Sequence, residues 1–180
     1  MTYSEVGQDQ FVLNMLKGKS QGVYVEIGAW HPWVLSNTYL LEKHYGWTGV
    51  SFEIVQDRVD KFNVNRTNKC YSGDATVFDY ESLFDSMNFP KQIDYLQVDI
   101  EPAEQSLMAL CALPLEKYRF STITFEHDLY VDSNNMILKN KQKEILSDLG
   151  YVLFKENVGE PKNGLPFEDW WIDPTVISYS

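Results

Sequence analysis

Cysteine is scarce: Cys70 and Cys111 are the only two in 180 residues. Two thiols set in apolar stretches build no disulfide framework. They read as reduced side chains acting as small hydrophobes in a cytoplasmic protein. Basic residues are also short, with 15 Lys and Arg against 26 Asp and Glu, a net charge of −11. Non-specific grip on nucleic acid rests on lysines and arginines that neutralise phosphate. Nothing richer than Lys139, Lys141 and Lys143 gathers along this chain, so nucleic acid is not an expected partner. No run approaches the ~18 uncharged apolar residues of a membrane-spanning helix, so no membrane partner is expected either. The first residues carry Glu5 and Asp9 and lack an apolar signal region, which argues against secretion. Internal repeats, low-complexity tracts and linkers are missing too, and a single domain over residues 1–180 is the expectation.

What the chain has in quantity is aromatic and apolar side chains: ten Phe, eleven Tyr, five Trp and 44% hydrophobic residues overall. That content excludes disorder and supplies a core, since a chain of this size buries about 70% of the surface it would expose unfolded. Phe11, Val12, Met15 and Leu16 share one face of a helix over 8–16. A β-rich run, Val23 to Gly28, suits a strand buried on both faces. A helix follows from an N-cap at Ser36 to Tyr45, closed by Gly46. Further strands are expected at 49–53, 69–73, 93–100, 120–126 and 151–154, and a last one around 175–178. Helices are expected at 56–65, after Pro102, and at 135–149. Alternating strands and helices give an α/β fold with a mostly parallel sheet.

In such sheets ligands bind beyond the carboxyl ends of the strands. Glu26 and Gly28, Glu53, Asp74, Asp99 and Glu101, and Glu126 with His127 all fall at those ends. One such acid would be read as a solvated loop residue, but acids at five strand ends point to a site. The dinucleotide fingerprint G-x-G-x-x-G is absent: Glu26-Ile27-Gly28-Ala29-Trp30-His31-Pro32 has one Gly. A pyrophosphate needs several close backbone approaches, which disfavours a NAD-dependent dehydrogenase. A single Gly beside a carboxylate suits a ligand with positive charge, such as S-adenosylmethionine, and an acid at the second strand end can accept ribose hydroxyls.

The chain resembles the FkbM-type branch of class I S-adenosylmethionine-dependent methyltransferases over nearly its whole length. The resemblance rests on Gly7-Gln8-Asp9-Gln10-Phe11-Val12, Val25-Glu26-Ile27-Gly28-Ala29, Ser36-Asn37-Thr38 and Gly46-Trp47-Thr48-Gly49-Val50. It continues in Phe52-Glu53, in Ile93 to Glu104, in Thr124-Phe125-Glu126-His127 and in Gly150-Tyr151. It implies a single Rossmann-like domain with seven strands, the last antiparallel. It also implies roles: Glu26, Gly28 and Ala29 along the methionine part of the cofactor, Glu53 on the ribose, Asp74 and Ala75 beside the adenine, and Asp99 and Glu101 facing the methyl-transfer site. Asn37 and Gln8 join the cofactor-binding set, Gln8 by closing over the cofactor from an N-terminal segment, 1–20, that caps the site.

Methyl transfer to a hydroxyl needs a placed nucleophile and a base. His127, Asp99 and Glu126 are the candidate bases. Asp99, Glu101, Glu126 and His127 could instead form an oxygen-rich site for Mg²⁺ or Mn²⁺, which would act as a Lewis acid. Trp30 and Trp33, together with Phe167, Trp170 and Trp171 in a loop over 156–174, are candidates for a lid or stacking wall, with tail packing the preferred role for Trp171. The function expected is O-methylation of a small molecule or saccharide, with a catalytically silent scaffold of the same fold as the alternative. A nucleic-acid base methyltransferase fits poorly, because Asp99-Ile100-Glu101-Pro102 stands where its Pro-rich element is expected.

Overall fold

The computed structural model describes residues 2–159 and 164–178. Five strands alternate with helices: β1 (Val23–Ile27), β2 (Thr48–Glu53), β3 (Lys69–Ser72), β4 (Gln92–Val98) and β5 (Arg119–Glu126). The helices are α1 (Gln8–Met15), α2 (Tyr39–Tyr45), α3 (Gln56–Asn65), α4 (Tyr80–Ser86), α5 (Ala103–Ala112) and α6 (Met136–Asp148). Two more strands, β6 (Val152–Gly159) and β7 (Pro166–Ile172), complete a sheet of order β3-β2-β1-β4-β5-β7-β6. Pairings from β3 to β5 are parallel, and β7 runs antiparallel to both of its neighbours. This is the Rossmann-like, mostly parallel seven-stranded sheet with an antiparallel last strand expected from the sequence.

Alternation along the central strands sends side chains to two cores. Val25, Ile27, Phe52, Leu96 and Phe120 pack with Phe84, Leu110 and Leu146 under α4, α5 and α6. Tyr24, Tyr95, Trp170 and Ile172 meet Phe11, Val12 and Leu41 under α1 and α2. Close strand packing leaves no room at Gly49, where a Cβ would lie 2.5 Å from the Tyr24 carbonyl oxygen.

Three expectations are corrected. The last strand is Pro166–Ile172, and 175–178 is turn and irregular chain. The supposed loop over 156–174 is therefore mostly strand, with 160–163 outside the described residues. Phe167, Trp170 and Trp171 belong to β7 and are buried, Trp170 stacking on Phe11 with ring centres 4.7 Å apart. They line neither lid nor cleft wall. Cys70 is buried as expected, whereas Cys111 is exposed on α5 and is no core hydrophobe.

Candidate active site

The sheet order reverses at β1, whose neighbours β2 and β4 are entered by crossovers in opposite directions. A cavity of about 510 Å³ opens there, beyond the carboxyl ends of β1 to β5. This is the topological switch point, where open α/β sheets hold ligands, and the volume is that of a small-molecule site. Glu26, Gly28, Ala29, Asn37, Glu53, Asp74, Ala75, Asp99, Glu101 and Glu126 all face it. Across the sheet, Asp74 and Glu53 stand on the β3–β2 side, Gly28 at the centre, and Asp99 and Glu126 on the β4–β5 side.

The first turn is built by Gly28, whose φ is +93° and whose Cβ, were there one, would sit 1.7 Å from the Asp99 carbonyl oxygen. Only glycine lets β1 and β4 end side by side here. Both Gly28 N–H and Ala29 N–H donate to the Phe52 carbonyl at 3.0 Å, tying the turn to β2. Trp30 lines the cavity and is 47% exposed.

Glu53 is held by two backbone amides. Its Oε2 accepts from Trp30 N–H at 3.1 Å and its Oε1 from Val55 N–H at 2.9 Å. The remaining lone pairs of this fixed carboxylate serve the cavity, with Arg58 3.5 Å away. Glu26 is buried deeper. Its oxygens accept from Thr38 Oγ1 at 2.9 Å and Ser51 Oγ at 2.6 Å. Burial raises its pKa, opposed first by Arg66. Arg66 reaches in from the chain after α3, bonding Glu42 at 2.8 Å, Thr38 Oγ1 at 3.0 Å and the Pro32 carbonyl at 2.8 Å. At the mouth, Thr76 donates to Asp74 from both its amide and its hydroxyl, at 2.8 and 2.7 Å, and lowers the Asp74 pKa.

On the other side, Asp99 and Glu126 are hydrogen-bonded to one another. Removal from water pushes both pKa values up, Asp99 to about 7; the Asp99 charge raises Glu126 further, while the hydrogen bond from Glu126 holds Asp99 down, so the pair keeps a proton at neutral pH. Asn37 and Gln97 line the cavity, and their buried side-chain oxygens have no hydrogen-bond partner among the described residues. Unpaired buried acceptors are costly, and a ligand with donors would satisfy them.

Two of the catalytic and cofactor-binding candidates do not face the cavity, and neither does Trp33, a candidate for the lid. His127 follows Glu126, and the strand's two-residue period sends it to the opposite side. It is fully buried, its Nδ1 accepting from Leu129 N–H at 3.3 Å and its Nε2 lying 3.6 Å from Asp169 Oδ1. The expectation that His127 is a base at the cleft is corrected on that ground. The proposed cation set of Asp99, Glu101, Glu126 and His127 loses its histidine for the same reason. Among the described residues, no three His, Cys, Asp or Glu side chains are grouped to hold a metal ion. Gln8 is buried at the start of α1, its Oε1 accepting from Val6 N–H at 3.0 Å and its amide pairing with Glu168. It anchors the N-terminal segment rather than facing the cavity, whereas Glu5 of that segment does face it.

Sequence reasoning passed over Glu5, Gln97, Tyr130 and Arg66. Gln97 carried a signal, a polar residue inside an otherwise apolar strand. Arg66 carried none, because its partners, Tyr24, Pro32, Ser36, Thr38 and Glu42, lie 24 to 42 residues before it in the chain.

No protein-family model matches the chain, and no curated protein does. Solved structures do. A Clostridium thermocellum protein described as an rRNA methylase superposes with a TM-score of 0.60 at 12% identity, covering 96% of this chain and 98% of its own. The Bacillus cereus O-methyltransferase, solved with S-adenosylhomocysteine, gives 0.60 at 15%, covering 92% and 79%. The N-methyltransferase NodS of Bradyrhizobium japonicum, also with S-adenosylhomocysteine, gives 0.58 at 11%, covering 93% and 85%. At these identities the likeness establishes the fold, that of S-adenosylmethionine-dependent methyltransferases. Among the described residues, no helix is long and apolar enough to cross a membrane.

Proposed function

We propose that this protein is an S-adenosylmethionine-dependent methyltransferase acting on a hydroxyl of a small molecule or saccharide. The observation that carries the reading is the cavity at the switch point, with a fixed acid at the β2 end and a proton-sharing acid pair at the β4–β5 end. The FkbM-type resemblance supports the hydroxyl acceptor, and the methyltransferase fold supports the cofactor. The donor set fits: carboxylates and unpaired amide oxygens match the ribose hydroxyls and the ammonium of S-adenosylmethionine.

When bound, the cofactor supplies a methyl group activated by a sulfonium leaving group. The protein's part is placement and proton removal. Glu53, held from behind by Trp30 and Val55 amides, would receive the ribose. Glu26, Gly28, Ala29 and Asn37 would surround the methionine portion, and Asp74 and Ala75 the adenine. Asp99 and Glu126 hold one proton between them, so the pair accepts the acceptor hydroxyl's proton as its oxygen bonds to carbon. A positioned base of this kind contributes about 100- to 10,000-fold.

Formation of S-adenosylhomocysteine with a panel of hydroxylated small molecules and sugars tests the reading. Turnover with at least one acceptor, abolished by denaturing the protein, is expected. Cofactor binding without turnover for any acceptor would favour a scaffold that has kept the fold.

A further inference from the structure

The two halves of the cavity differ in charge balance. On the β2–β3 half, Glu53 has Arg58 beside it. On the β4–β5 half, Glu5, Asp99, Glu101 and Glu126 line the wall, and no Lys, Arg or His among the described residues faces it. Asp128 lies against the same group from behind, hydrogen-bonded to Glu126. Tyr130 stands among them: after burial, Asp128, Glu126, Glu101 and Glu5 are what raise its hydroxyl pKa, to about 12. Its ring, packed edge-on against Phe167 at 6.0 Å, is part of the cavity wall.

A second, independent observation points to a ligand at this place. Gln97, buried on β4, lines the cavity, and its side-chain oxygen has no hydrogen-bond donor among the described residues. An acceptor oxygen, several carboxylates and an aromatic face make a cation receptor. The cofactor's own ammonium accounts for one or two of these acceptors. Glu5 and Glu101, farther along the wall, exceed that need.

We infer that the β4–β5 half of the cavity is an acceptor subsite for a hydroxyl compound that carries an ammonium group, such as an amino alcohol or amino sugar. The inference rests on the methyltransferase reading and narrows its substrate class. The ammonium group sits against Glu5, Glu101 and the Tyr130 ring, which leaves the hydroxyl to the Asp99–Glu126 pair. Acceptors bearing phosphate or carboxylate meet like charges at short range and are rejected.

Matched probes read this directly. S-adenosylhomocysteine binding is measured first, and its absence would count against the methyltransferase reading itself. The liganded protein is then titrated calorimetrically with tyramine, 4-ethylphenol and 4-hydroxyphenylacetate, which share one phenol and differ in distal charge. Glucosamine, glucose and glucuronate form a second such trio. The cationic member of at least one trio is expected to bind tenfold or more tighter than its neutral partner, with the anion weakest. In the Glu5→Gln/Glu101→Gln double variant, both exposed positions, that preference, read as the ratio of the cationic to the neutral probe's affinity at saturating S-adenosylhomocysteine, should shrink at least fivefold. Equal or better binding of the neutral or anionic probe, no cationic preference in either trio, or a preference unchanged in the double variant would overturn the inference.

Discussion

Single carboxylates do different work here because their surroundings differ. Glu53 is held by two amides and faces the cavity, so Glu53→Gln keeps an acceptor but loses a charge-assisted hydrogen bond worth about 1.5–3 kcal/mol. S-adenosylmethionine affinity measured by calorimetry should fall about 10- to 100-fold, with the melting temperature little changed. Glu126→Gln takes away one half of the proton-sharing pair. Turnover should fall about 100-fold or more while cofactor affinity holds within a few-fold, a split that steady-state kinetics and calorimetry together resolve. The acids at the strand ends were legible in the sequence because charged residues that close apolar runs stand out. His127 was not placed correctly, because its neighbour Glu126 took the cavity side of the strand. Arg66 was invisible for another reason: its role lies entirely in contacts that the tertiary fold creates.

At the level of elements, the sequence marked β1 to β5 and most helices to within a residue or two, since buried parallel strands read as apolar runs punctuated by Gly and acids. The helix α4 escaped notice: seven residues give too little periodicity, although Asp79 caps it through Ser82 N–H at 3.1 Å. The strand β7 was read as loop because Glu168 and Asp169 interrupt its apolar pattern. Both are buried nonetheless, Glu168 accepting from the Trp170 indole and Asp169 from Asn157 N–H at 2.9 Å. Gly28→Ala forces the β1 turn against the Asp99 carbonyl at a positive φ, and should cost about 3 kcal/mol or more or prevent folding, as read from denaturant midpoints. Trp170→Ala should cost about 3–5 kcal/mol of stability by emptying the packing against Phe11, yet leave cofactor affinity unchanged, because β7 does not line the cavity.

For the molecule as a whole, the acidic balance has two parts that respond oppositely to pH. Glu26, Asp99, Glu126 and Glu168 have raised pKa values, chiefly through burial, Asp99 to about 7 and Glu168 to about 8. A carboxyl group with a raised folded-state pKa contributes stability that is complete below about pH 4 and is lost as pH rises through its folded value. Asp74, Asp79, Asp85, Glu156 and Asp173 are lowered by hydrogen bonds and ion pairs, so their contribution is lost as pH falls through the acid range. The melting temperature of the ligand-free protein should therefore be highest around pH 5 and decline toward pH 8, as a buffer series by calorimetry would show. A bound cationic cofactor should flatten that decline. Part of the net charge of −11 thus belongs to the cavity rather than to the solvated surface. The central claim is that this cavity binds S-adenosylmethionine, and titration calorimetry of the folded protein tests it most directly. The account predicts saturable binding at one site per chain, weakened in Glu53→Gln and unchanged in Trp170→Ala. A folded protein that shows no saturable binding at millimolar S-adenosylmethionine would contradict it.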